Sequence, residues 1–343
     1  MTPSANVYSR PAMCHRMGLF GSDEPSDQEI IDTAVEQGPT DCDVAAVVGV
    51  LENDDPELKN AAANVLVAAA NERPERVAPH VAAFEPGFET DVPNTLECLL
   101  GALVGAHDPE NPSGVALLPQ VVWALGRVGE TEQGELFGAT YLHQLSLASV
   151  KAREWLASVA HREAFEPLVA LATAEREEVR YRATSVLLGV SNEEPSAMAP
   201  HAEALFPCLA DESARVVGNA VGVLAGATSD DRTALVDVAD ALVTVVATHP
   251  DETTRGTAAA LVAETAQHRP GPFVDGVGVF VEALAGDLEE RRAELAHALA
   301  FVAETAPERV APHRDRLEAV AANDPDKTVR AQTRAALDAL PSA

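Results

Sequence analysis

Apolar residues recur along the chain at intervals of three and four. Leu58, Ala62, Val65 and Ala69 do so in one stretch, and Leu295, Leu299 and Val302 in another. That spacing gathers side chains on one face of an α-helix, whereas a half-buried strand would alternate at every second residue. A different type of stretch carries Val310, Leu317, Val320 and Ala321 on one face and a proline, Pro312, near its start. A proline there opens or kinks a helix, because it lacks the backbone N–H that an interior turn needs. The pattern predicts about 18 helices between residues 24 and 340, with short turns between them.

The helices repeat. An acidic residue followed four positions later by a base recurs as Asp55/Lys59, Asp211/Arg215, Asp251/Arg255, Asp287/Arg291 and Asp326/Arg330. Each Asp is placed to cap a helix N-terminus, with the base one turn along. A second run, Arg76-Val77-Ala78-Pro79-His80, returns as Arg309-Val310-Ala311-Pro312-His313 and as Ala197-Met198-Ala199-Pro200-His201. Leu205, Leu242, Phe280 and Leu317 then follow at a near-constant step of about 37 residues. A lone helix pair of this kind cannot bury its stripes, but a stack of pairs forms one continuous core.

These motifs resemble the HEAT-repeat family of armadillo-like α-solenoids. Asp324-Pro325-Asp326-Lys327-Thr328-Val329-Arg330 carries the family's Asp and Val-Arg at the second helix, and Glu177-Glu178-Val179-Arg180 carries part of it. Leu117-Leu118-Pro119-Gln120-Val121 resembles the proline-bearing first helix. The resemblance covers roughly residues 40 to 340. It implies an all-α superhelix of about 16–18 antiparallel helices, right-handed and curved, with the second helices lining the concave side. It implies no particular activity.

One solenoid is expected over residues 23–343, preceded by a disordered or mis-annotated tail at 1–22, where Met17 is a second possible start. Alternating first and second helices backwards from residue 340 holds as far as about 149, and forwards from 41 as far as about 106. The two counts differ by one helix. An irregular break is therefore expected near 107–148, with His107–Gly114 as its loop.

Composition supports helices and adds a surface. The chain is 47% hydrophobic but 4% aromatic, so its core material is Ala, Val and Leu. Fifty-four acidic residues against 24 basic ones give a formal charge of −30, and Lys59, Lys151 and Lys327 are the only lysines. Such a surface is similar to that of haloarchaeal proteins, where molar salt shortens the Debye length to roughly 3 Å and screens self-repulsion. Cys14, Cys42, Cys98 and Cys208 form no CxxC and give no zinc or redox pair. No run is long and apolar enough for a membrane span, and the first residues lack a signal-peptide core, so a cytoplasmic location is expected.

Chemistry is harder to find. The ten histidines include no His-Glu dipeptide, which the iron-binding deoxyhypusine hydroxylases of this fold require. His80, His201 and His313 share a repeat position and are expected to serve packing or surface roles. No phosphate-binding loop or nucleophile elbow occurs, and Gly276-Val277-Gly278 lacks the rest of a dinucleotide site. Carboxylate pairs such as Asp54/Asp55 and Glu289/Glu290 are what so acidic a chain yields by chance. Trp155 shares a face with Ala152, Leu156 and Val159 and is expected in the core.

No cofactor or metal is expected, and the leading expectation is a non-catalytic scaffold for a protein partner. Its binding residues would be the second-helix Arg180, Tyr181, Arg182, Arg215, Arg255, Arg291 and Arg330, with Arg292 and Arg334 beside them. The same arginines leave two alternatives. They could track an anion or a nucleic-acid backbone, or they could staple neighbouring repeats through carboxylates. A lyase-type enzyme, as in the phycobilin lyases of similar fold, is a further alternative. Nucleic acid is the less favoured partner, because molar salt weakens phosphate contacts steeply.

Overall fold

The computed structural model describes residues 25–108, 113–128, 131–162, 165–286 and 291–341. The expectations placed on residues 1–22, Cys14, Met17, residues 109–112, Asp287, Glu289 and Glu290 lie outside the described residues. Every regular element among the described residues is helical.

The second helices form one layer, each packed against the next: α1 (Asp27–Gln37), α3 (Pro56–Glu72), α5 (Pro93–Gly105), α7 (Glu132–Ala148), α10 (Glu177–Glu193), α11 (Ala214–Ala227), α13 (Glu252–His268), α15 (Arg292–Thr305) and α18 (Lys327–Asp338). The first helices form the other layer: α2 (Val44–Val50), α4 (Pro74–Val77), α6 (Leu118–Val128), α9 (Glu166–Ala170), α12 (Ala239–Thr248), α14 (Val277–Ala285), α16 (Pro307–Val310) and α17 (Arg314–Asn323). One helix belongs to neither series. It is α8 (Val150–Val159), which packs on α7 and α10 and accounts for the surplus of one in the helix count. It lies just past the interval 107–148.

Between the layers runs a single apolar core. Leu205, Leu242, Phe280 and Leu317 are all fully buried in it, one per repeat. The second helices supply Ala62, Val65, Ala69, Leu295, Leu299 and Val302, all buried at the spacing the sequence displays, while Leu58 is half-buried against the core. Small side chains at so many of these positions allow close helix approach. Trp155 is half-buried and packs against this core.

The first helices are less regular than their apolar spacing predicts. Ala78–Phe88, Pro195–His201, Glu203–Ala210, Arg232–Val238, Gly271–Gly276 and Ala311–His313 are 3₁₀ segments. Pro86, Pro200 and Pro207 sit inside such segments, and Pro79, Pro195, Pro272 and Pro312 open them. Each proline removes a donor from the α ladder and crowds the preceding turn, so the backbone tightens locally.

Second helices start on side-chain caps at three of the repeated aspartates. Asp55 accepts from Glu57 N at 2.9 Å, Asp251 from Thr254 N at 2.7 Å and Asp326 from Thr328 N at 2.6 Å. Asp211 does not cap. Ser213 takes the cap position of α11, and Asp211 is displaced two residues upstream for another task.

Candidate binding face on the second helices

The cation one turn into a second helix is mainly a structural part. Lys59, Arg180, Arg255 and Arg330 each stand four residues after the cap and donate their N–H to its carbonyl. From there Arg180 spans to the next repeat, Nε to Asp211 Oδ2 at 2.5 Å and Nη2 to Asp211 Oδ1 at 3.1 Å. Its Nη1 donates to the carbonyls of Ala174 at 3.0 Å and Glu175 at 2.7 Å. Arg330 repeats that second contact on Asp324 O at 2.6 Å and Pro325 O at 3.0 Å. Lys59 does related work, donating Nζ to Pro86 O at 2.8 Å. Arg292, the first residue of α15, pairs with buried Asp324 and also reaches Leu284 O at 2.5 Å. Arg334 donates to Ala321 O at 2.9 Å.

The tie fails where its residues change. Val217 holds the cation's place in α11, four residues after Ser213. There His249 bridges the boundary instead, with Nε2 at 2.9 Å from Ala214 O. Arg255 keeps the cation, yet its Nε is enclosed with no hydrogen-bond partner among the described residues. Electrostatics follow the ladder. Burial pushes the Asp211 carboxyl up, but hydrogen bonds from Arg180 and Ser213 N outweigh it and hold the group below the usual carboxylate range. Asp211 in turn raises the Arg180 guanidinium.

Arg215 and Arg291 do not stand in this register, although their spacing from an aspartate puts them there. Arg215 is the second residue of α11. Arg291 precedes α15 in the left-handed backbone region, φ 60°, and bonds Glu294 at 3.1 Å. Both side chains are 55% exposed.

Arg215 joins a different group. Its guanidinium lies 4.0 Å from the centre of the Tyr181 ring, and the carboxylates of Glu177 and Glu178 are 3.7 and 3.8 Å away. The Tyr181 ring meets His143 of α7 edge-on at 5.7 Å. Arg182 bonds Glu178 at 2.8 Å and reaches Thr140. Burial, then the Arg182 charge, lower the His143 pKa against an opposing effect of Glu178, so the ring favours its neutral form. Asn219 of α11 donates to Thr184 Oγ1 at 3.2 Å on the same side. The structure thus brings Tyr181 and Arg182 of α10 together with Arg215 of α11 and His143 of α7, while Arg180, Arg292 and Arg330 are tied to backbone or carboxylate. The sequence did not single out His143, because α8 interrupts the spacing that would align α7 with α10.

The other residues weighed for chemistry are dispersed. His201 is buried with Nε2 at 2.6 Å from Ala160 O, whereas His80 and His313 are half-buried, so the three do not share one role. Cys42 and Cys208 are buried, and burial pushes the Cys208 thiol up to about 11. Among the described residues no group of three or more His, Cys, Asp or Glu side chains is placed to hold a metal ion. None of their helices is long and apolar enough to cross a membrane.

No protein-family model matches the chain, and no curated protein does. Solved structures do. A computationally designed armadillo repeat protein for modular peptide recognition superposes with a TM-score of 0.50 at 21% identity, over 65% of this chain and 100% of its own. A second designed armadillo repeat protein gives 0.49 at 22% identity, over 65% of this chain and 100% of that one. An engineered protein gives 0.46 at 21% identity, over 92% of this chain and 95% of its own. Two layers of stacked helices, one core and the first of these likenesses agree: the chain folds as an armadillo/HEAT-like α-solenoid.

Proposed function

We propose that this protein is a non-catalytic scaffold that holds a segment of a protein partner on its second-helix face, around Tyr181, Arg182 and Arg215. The observation that carries this reading is the stack of Arg215 on Tyr181, with His143 edge-on to the same ring. A half-exposed tyrosine fixed by an arginine and a histidine is a preordered anchor, and Tyr and Arg are enriched where binding energy concentrates. The extended face of a helical solenoid suits an extended polypeptide. A polynucleotide would ask for a stripe of unengaged arginines, and Arg180, Arg292 and Arg330 are engaged. The designed armadillo protein of the same fold is described as made for modular peptide recognition, a use in keeping with this reading.

Residues 23–343 act as one unit in this proposal, in a salt-rich cytoplasm to which the charge of −30 is an adaptation. The test is cross-linking and co-purification from source-cell extract at molar salt, with the wild-type chain beside Tyr181→Ala/Arg215→Ala. The wild type should retain a specific protein cross-linked to α10 and α11, and the variant should lose it at least about tenfold. Equal retention by both, or cross-links confined to other helices, would sink the proposal.

A further inference from the structure

The first-helix layer carries a second feature, independent of the face just described. Trp123 of α6 is 38% exposed, one of few large apolar side chains so placed among the described residues. It walls a pocket of about 250 Å³ between the 3₁₀ segment Ala78–Phe88 and α6, lined by Glu85, Phe88, Glu89, Pro119, Gln120 and Trp123. Phe88 and Pro119 complete an apolar floor. Glu85 and Glu89 are exposed carboxylates, which only accept. Gln120 spends its N–H on Glu85 Oε1 at 2.9 Å, and its own Oε1 is enclosed with no donor among the described residues. An enclosed acceptor without a donor carries a free-energy cost that an entering N–H relieves once the carboxamide turns toward it.

The rim already shows the chemistry that suits the ring. Arg127 lies with its guanidinium 4.2 Å from the centre of the Trp123 ring and is paired with Asp91. Lys59, the nearby cation of α3, is committed to the carbonyls of Pro86 and Glu89. The pocket itself therefore presents an aromatic wall and two carboxylates, with the Gln120 oxygen enclosed behind them. Its volume falls below the roughly 300–1,000 Å³ that drug-sized ligands occupy, and suits one long side chain.

We propose that this pocket is a subsite for a single arginine or lysine side chain of a protein partner. The cation would stack against Trp123, where tryptophan is the strongest of the aromatic partners. Its N–H groups would reach Glu85, Glu89 and the Gln120 oxygen, while its methylenes cover Phe88 and Pro119. The site lies on first-layer elements, so its occupancy is separable from binding at Tyr181.

The test uses the full chain with Trp155→Phe, which leaves Trp123 as the sole tryptophan, at the lowest KCl that keeps full helicity. Its emission is titrated with acetyl-Gly-Arg-Gly-amide, the citrulline analogue, acetyl-Gly-Glu-Gly-amide and spermidine. The arginine peptide should give a saturable change below about 20 mM and bind at least about fivefold tighter than the citrulline peptide. Glu85→Gln/Glu89→Gln, which alters exposed side chains only, should weaken it by a similar factor with helicity intact. No saturable change, an equal response to citrulline, or an unchanged affinity in the double variant would overturn the site. Spermidine binding tighter than the peptide would overturn its assignment to a protein side chain.

Discussion

Arg180 holds Asp211 with two nitrogens across the boundary between α10 and α11, and both side chains are largely buried, at 18% and 8% exposure. Asp211 surrenders the cap of its own helix to Ser213 in order to make that bond, although its second oxygen still accepts from Ser213 N at 2.8 Å. Removing one partner strands the other. Asp211→Ala should cost about 2 kcal/mol, and Arg180→Met/Asp211→Leu should cost less than the two single changes summed. Since each repeat touches only its neighbours, the loss should show first as faster amide exchange in α10 and α11. Uniform change along the whole chain would contradict it.

Acid should act through the same residue. Burial pushes the Asp211 carboxyl up, but Arg180 and the Ser213 amide prevail and leave it lowered in the folded chain. A carboxyl lowered on folding adds stability above its unfolded pKa of about 3.9, and that share is lost as pH falls through the folded value. Asp211→Asn should thus be less stable than the wild type near neutrality. The gap should close as pH falls from the unfolded pKa through the lower folded value, because the protonated wild type then resembles the variant. Urea midpoints measured across that range check the sign, and a gap that widens in acid refutes it.

How far the sequence reveals this arrangement depends on what each residue does locally. Asp55, Asp251 and Asp326 cap their helices through bonds to backbone two or three residues on, so spacing alone finds them. Asp211 and Arg215 carry the same spacing but not the same geometry, because a two-residue shift of the cap to Ser213 is silent in the pattern. Arg292 works where Arg291 is the expected residue, since the backbone turns left-handed at Arg291 before α15 begins. α8 reads as an ordinary helix, and nothing local marks it as standing outside both layers. The group at Tyr181 joins residues from α7, α10 and α11, so only tertiary packing assembles it. Trp123 and Trp155 show the same limit, because helical spacing tells which residues share a face but not how much of that face a neighbour covers.

Gly114 offers a sharp test of packing at the α7 boundary. A Cβ added there would fall on the hydroxyl of Tyr141, which is almost fully enclosed. Tyr141 is 1% exposed, so its ring has no open space into which to withdraw. Gly114→Ala should therefore destabilise by about 1–3 kcal/mol through overpacking. Tyr141→Phe removes the clashing oxygen, so the double variant should recover part of that loss. Thermal unfolding of the three variants decides it, and a Gly114→Ala chain as stable as the wild type would refute the close approach.

Salt should decide whether the solenoid persists at all. The chain carries 54 acidic and 24 basic side chains, and the Arg180–Asp211 and Arg292–Asp324 pairs neutralise charge only at repeat boundaries. Elsewhere the surplus faces solvent, and its mutual repulsion reaches about 3 Å in 1 M salt but more than 10 Å below 0.1 M. An elongated stack cannot lower that repulsion except by loosening its repeats, because each gains stability only from its neighbours. Dilution from about 2 M to 50 mM KCl should therefore lower helicity measured by circular dichroism, and restoring the salt should recover it. Replacing exposed acids by amides on several repeats should move the transition to lower salt by relieving repulsion without touching the core. Full helicity at 50 mM KCl in the wild-type chain would mean that packing between the layers outweighs the charge, and the reading of −30 as an adaptation to salt would fall.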